Sequence, residues 1–183
     1  IYISKRKISD IQMIFQDPYS ALNEKMTVEE IIKEPLIVNK QDNINERVTE
    51  MLNFLKLIDF KTKYPNELSG GQRQCLSLLM ATLKKPAILL LDEHTAALDP
   101  QTSKIILEKT KKIIEKNKLI AFMITHNMQD AIKYGNRLLM FHNGTIIFDI
   151  KGKEKEALTV EKLLEMFKQK EIKLSDLSDK DLF

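Results

Sequence analysis

The stretch Pro86-Ala-Ile-Leu-Leu-Leu-Asp-Glu-His-Thr-Ala-Ala-Leu-Asp-Pro100 decides the fold class. Ala87 to Leu91 is an unbroken apolar run of strand length, and a run without alternation suits a strand covered on both faces, as in a parallel sheet. Asp92 and Glu93 close the run with two carboxylates. Asp99 and Pro100 then supply the N-cap and the first position of a helix, which the apolar spacing predicts to extend to about Asn117. Strand, acidic turn and helix in succession make half of a βαβ unit, whose ligands bind beyond the carboxyl end of the strand.

Downstream, Leu119–Thr125 reads as a second buried strand, followed at once by His126. A short helix, MQDAIKY, closes at Gly135. RLLMFH, Asn143-Gly144 and TIIFDI form a hairpin with a type I′ turn. One amphipathic helix is expected around Val160–Lys168, ahead of a charged end that reads as a solvated face.

Upstream, Ser69 and Gln72 have capping-box spacing and open a helix that runs through RQCLSLLMATLKK to stop at Pro86. Gly70 and Gly71 fall in its first turn, where unpaired N–H groups attract phosphate and glycine allows a close ligand approach. A further helix carries Ile44, Val48, Met51, Leu52 and Leu55 on one face. Before it, Thr27 and Glu30 open a short helix that Pro35 is expected to limit. IQMIF, residues 11–15, reads as a strand that leads to Gln16, and Ile1–Asp10 as a short strand and a basic turn. Asp17 to Lys85 is thus mostly helical, a helical insertion in an α/β core.

Composition narrows the class. The 183 residues are 43% hydrophobic and 30% charged, enough for one globular domain with a sizeable core. The 29 basic and 26 acidic side chains leave a net charge of +3, too even to imply nucleic acid. A single cysteine, Cys75, excludes an internal disulfide, fits a reducing compartment and has the placement of a packing residue. No apolar run approaches the ~20 residues that span a bilayer. The chain opens on Ile1, so it reads as a portion of a longer product.

Three apolar runs lead to residues of catalytic type: Gln16, Asp92-Glu93 and His126. An amide, two carboxylates and an imidazole at one sheet edge would suit a metal–phosphate site with an attacking water. For the acidic pair alone, two exposed acids in a strand-to-helix loop is an equally good reading. His94 and His142 have no ligand spacing with His126, so no zinc site is expected.

Taken in order, LSGGQRQ, AILLLDE, ALDP and ITH resemble the motifs of the ATP-binding cassette (ABC) ATPases, and FQDP resembles that family's Q-loop. The resemblance runs from Ile11 to about Ile150. It implies a P-loop NTPase-like α/β fold, with a parallel sheet and a helical subdomain, N-terminally truncated. Residues 1–150 would be the partial ATPase domain, with about 17–85 as the helical subdomain, and 151–183 a helical, charged tail.

The resemblance also implies roles. Glu93 would be the catalytic glutamate, His126 the switch histidine on the γ-phosphate, and Gln16 the Q-loop glutamine that reaches Mg²⁺ through water. Asp92 would organise Mg²⁺, and Ser69, Gly70, Gly71 and Gln72 would contact ATP held by a second ABC ATPase subunit. Ala97, Leu98 and Asp99 would form the D-loop. The implied cofactors are ATP and Mg²⁺. The implied partners are transmembrane permease subunits, a second ATPase subunit and a substrate-binding protein, with the chain on the cytoplasmic face of a membrane.

Two departures bear on function. His94 stands where many relatives have proline, and the peptide-importer character of IQMIFQDPYSALN conflicts with the amino-acid-importer character of EHTAALDP. None of the five glycines begins the G-x-x-x-x-G-K-[ST] phosphate loop, so the chain alone is expected to be inactive. The leading expectation is the ATPase subunit of an importer of amino acids or peptides. A non-hydrolysing partner that lends only its signature motif, an ABC ATPase outside transport, and a generic α/β domain are the alternatives.

Overall fold

The computed structural model describes residues 11–15 and 22–169, so Gln16 and the expected strand over 1–10 lie outside the described residues. The chain divides into two compact units, Ile1–Met123 and Ile124–Phe183.

In the first unit, β1 (Ile11–Ile14) pairs in parallel with β2 (Ile88–Asp92), Ile11 opposite Ile88 and Ile14 opposite Leu91. With β3 (Ile120–Ile124) they form a three-stranded sheet in the order β1-β2-β3. Two helices cover one face: α3 (Gly70–Thr82) contributes Leu78 and Ala81, and α4 (Pro100–Asn117) contributes Ile113 and Ile114. These close on Ile14, Leu89 and Leu91 in a core cluster.

The expectation that β2 and β3 are buried on both faces is corrected here. Leu89 and Leu91 are buried, whereas Ile88 and Leu90 are half-buried, and Ile120, Phe122 and Ile124 of β3 are exposed. The physical reason is that helices cover only one face of this sheet among the described residues. An apolar run without alternation therefore marks two apolar faces, only one of which has a cover here.

Ahead of β2, α1 (Val28–Val38), α2 (Ile44–Leu55) and α3 build the helical part of this unit. Its core joins Val28, Ile31, Ile32 and Leu36 of α1, Val48, Leu52 and Leu55 of α2, and Cys75, Leu76 and Leu79 of α3. Each fully buried aliphatic side chain contributes roughly 1.5–3 kcal/mol from burial. The Thr27 capping box is formed, the Glu30 carboxylate accepting from Thr27 N–H at 2.7 Å.

Pro35 does not limit α1, contrary to expectation. It sits inside the helix, which continues to Val38. Proline forfeits one backbone donor there. Leu36, buried among core residues, holds the following turn in place, and Asn39 caps the end by donating its backbone and side-chain N–H groups to Pro35 O.

The second unit begins with α5 (Met128–Lys133), followed by an antiparallel hairpin of β4 (Arg137–His142) and β5 (Thr145–Lys151). Asn143 and Gly144 have φ of +47° and +72°, the left-handed pair that a type I′ turn requires. α6 (Lys153–Glu156) has no counterpart in the sequence reading. Its Lys155 is buried and donates to Ile132 O and Tyr134 O at 2.6 and 3.0 Å, capping the end of α5. α7 (Val160–Gln169) lays Leu163 and Phe167 against Leu138, Met140, Phe148 and Ile150 of the hairpin.

Candidate functional site

Asp92 is the last residue of β2, and Glu93 follows with φ +42°. A left-handed backbone at a non-glycine residue costs roughly 1–2 kcal/mol, so its surroundings have to hold it. The turn is held by a bond within itself and by bonds to α4. Ala96 N–H donates to Glu93 O at 2.9 Å, and the Ser103 hydroxyl donates to Thr95 O at 3.0 Å. His94 is 2% exposed, with its Nε2 3.3 Å from Thr110 Oγ1. Burial pushes the His94 imidazole down to about 4, so it is neutral near pH 7. Asp99 caps α4 by accepting from Thr102 N–H at 3.0 Å. Hydrogen bonds from the Thr102 side chain and backbone hold its carboxyl below the usual range.

The start of α3 lies in the same unit. Ser69 is its exposed N-cap: its Oγ accepts from Gln72 N–H at 3.3 Å, and the Gln72 side chain accepts from Ser69 N–H at 2.8 Å. The first-turn N–H groups of Gly70 and Gly71 have no acceptor within the helix itself. Arg73 is buried, and its guanidinium donates to Pro65 O and Leu68 O, which fixes the approach to Ser69.

The two glycines have an intramolecular reason. A β-carbon on Gly71 would lie 2.3 Å from Thr102 Cγ2, and one on Gly70 would lie 3.3 Å from Leu98 Cδ2. The start of α3 is therefore packed against Leu98 and the first turn of α4. The expectation of a close ligand approach at these glycines gains a neighbour that already makes that approach from within the chain.

The structure thus brings Ser69–Gln72 and Leu98–Asp99 into one packed corner, and Asp92 and Glu93 stand at the end of β2 in the same unit. His126 belongs to the second unit, exposed, two residues past β3. It shares a small cavity of about 70 Å³ with Thr125, Met128, Met140, Leu163 and Phe167. Gln16 lies outside the described residues.

No group of three or more His, Cys, Asp or Glu among the described residues is arranged to hold a metal ion. A lone Asp92 carboxylate fits Mg²⁺, which keeps several waters and takes phosphate oxygens along with one or two carboxylates.

Three contacts escaped the sequence reading: His94 to Thr110, Gly71 to Thr102, and Arg73 to the carbonyls before Ser69. The contacts of His94 with Thr110 and of Gly71 with Thr102 join residues far apart in sequence, which no local period reveals. Arg73 carried a weak signal: it stands one position past a capping box and is the one charged residue of α3.

The family model described as "ABC transporter" matches residues 3–96. A "Tyrosine transport ATP-binding protein" of Clostridioides difficile (strain R20291) is 43% identical over 169 residues, covering 86% of this chain and 66% of that protein. "Methionine import ATP-binding protein MetN 1" of Staphylococcus aureus is 41% identical over 140 residues, 75% of this chain and 40% of that protein. The chain therefore spans less than two thirds of the length of these relatives. Among solved structures, cbiO1 from Clostridium perfringens, described as part of the ABC transporter complex cbiONQ, superposes with a TM-score of 0.71 at 24% identity. That match covers 88% of this chain and 64% of that one, and it shows the fold.

Proposed function

The chain belongs to the ABC transporter family, and from that premise we propose that it is the energy-coupling ATP-binding part of an importer for amino acids. The observation that carries the reading is the 43% identity across 86% of the chain to a tyrosine transport ATP-binding protein. The methionine import relative supports the same substrate class over the peptide-like alternative.

On this reading the corner at Ser69–Gln72 faces outward to a nucleotide held by another subunit. The Ser69 hydroxyl, the Gly70 and Gly71 N–H groups and the α3 dipole offer donors to its γ-phosphate. Leu98 and Asp99, with Ala97, carry the D-loop beneath them. Asp92 would hold Mg²⁺, which neutralises charge developing on the phosphate oxygens. Glu93 polarises the attacking water, His126 donates toward the γ-phosphate, and Gln16 links the site to the membrane partner. Residues 1–150 make up the ATPase portion, with the helical subdomain at about 17–85, and 151–183 extend it.

Permease subunits, a second ATPase subunit and a substrate-binding protein complete the assembly, with this chain on the cytoplasmic side. No helix among the described residues is long and apolar enough to cross a membrane, which is consistent with attachment through partners. The test is uptake. In cells deleted for this gene, uptake of labelled tyrosine or methionine is expected to fall and to return with the full-length gene but not with its Glu93→Gln variant. Unchanged uptake of both amino acids in the deletion would contradict the amino-acid reading, and lost dipeptide uptake would reassign the substrate.

A further inference from the structure

Glu93 has a left-handed backbone, φ +42°, and the residue after it is pinned. Its neighbour His94 is 2% exposed, and Thr110, in the middle of α4, is 3% exposed. Thr110 Oγ1 donates to Ile106 O at 2.9 Å, which uses the hydroxyl's only proton. The oxygen can then only accept from His94, so the Nε2 at 3.3 Å carries the hydrogen and the ring is the Nε2–H tautomer. Here a directional bond runs from the residue beside Glu93 to a helix fixed in the core by Ile106 and Ile113. The Ser103 hydroxyl donates to Thr95 O and Leu98 O, and the Asp99 carboxylate accepts from Thr102 N–H; these bonds grip the later residues of the turn.

We infer that His94 is a positioning residue: its Nε2–H bond to Thr110 holds Glu93 in the left-handed conformation that aims its carboxylate. The inference rests on the ATPase reading for its consequence in catalysis, but its structural half stands without it.

The experiment therefore has two readouts. In the 183-residue chain, imidazole ¹⁵N shifts report the His94 tautomer, and the intraresidue HN–Hα NOE of Glu93 reports its φ. In the chain extended by a P-loop-bearing ABC segment ahead of Ile1, kcat and KM for ATP are measured. His94→Ala and Thr110→Val are expected to weaken the Glu93 NOE and to lower kcat about 10- to 100-fold with KM within about twofold, as a misaimed catalytic group does. His94→Gln, which keeps a donor at the Nε2 position, and Thr110→Ser, which keeps the acceptor, are expected to retain both.

If His94→Ala does not fold, the Thr110→Val and His94→Gln pair decides the same question. An Nδ1–H tautomer, an unchanged Glu93 NOE in the disrupting variants, or a changed NOE with unchanged kcat would overturn the inference. Absence of turnover in the extended wild type would instead count against the ATPase reading and leave the backbone readout to decide the rest.

Discussion

At Gly71 there is no room for a β-carbon, because Thr102 Cγ2 would sit 2.3 Å away. Alanine in a helix gains up to about 1 kcal/mol over glycine, whereas overpacking costs typically 1–3 kcal/mol. Gly71→Ala is therefore expected to destabilise the chain by about 1–2 kcal/mol in urea titrations. Adding Thr102→Ser removes the offending methyl and leaves an ordinary 3.7 Å contact to Cβ, so it should restore most of the loss. Simple additivity of the two changes would show that the contact is not the cause.

Cys75 gives a second residue-scale test. Burial pushes its thiol up to about 11, against a small opposing pull from Lys109. The neutral thiol is the form the fold favours, so its contribution to stability is complete below pH 9 and is lost as pH rises through 11. At pH 8 the folded thiolate fraction is about 100-fold below that of the unfolded chain. Alkylation by iodoacetamide is expected to be slower by at least that factor, and equal rates would mean that Cys75 is accessible.

Elements were legible in the sequence where a local signal decided them. The capping boxes at Thr27 and Ser69, the Asp99-Pro100 start and the Asn143-Gly144 turn each stand where the residues required. Of the features that were not legible, two have their cause outside the local sequence. Pro35 is tolerated because Leu36 is buried beyond it, and β3 is exposed because what covers a strand is not written in the strand. The site divides in the same way: Asp92 and Glu93 could be read from a strand end, but the Thr110 partner of His94 comes from the middle of the following helix.

α7 supplies the test at this scale. Phe167 is 1% exposed and its ring centroid is 5.6 Å from that of Phe148. Phe167→Ala is expected to cost about 3–5 kcal/mol in the second unit. The readout is amide hydrogen exchange, which should accelerate across β4 and β5. Unchanged protection there would mean that α7 does not hold the hairpin.

For the whole molecule, the segment 16–34 is proposed to meet a permease. Full-length protein is then expected to be recovered with membranes only when that permease is co-expressed, and equal recovery without it would count against the docking. The central claim is that Ser69, Gly70 and Gly71 serve a nucleotide held by another subunit. Steady-state ATP hydrolysis tests it most directly, measured on the 183-residue chain alone and mixed with a P-loop-bearing ABC subunit. The account predicts no turnover above background for the chain alone. In the mixture it predicts turnover that falls about 10²–10³-fold on Ser69→Ala, the usual cost of one lost donor to a developing charge. Robust turnover by the chain alone, abolished by Glu93→Gln, would contradict it.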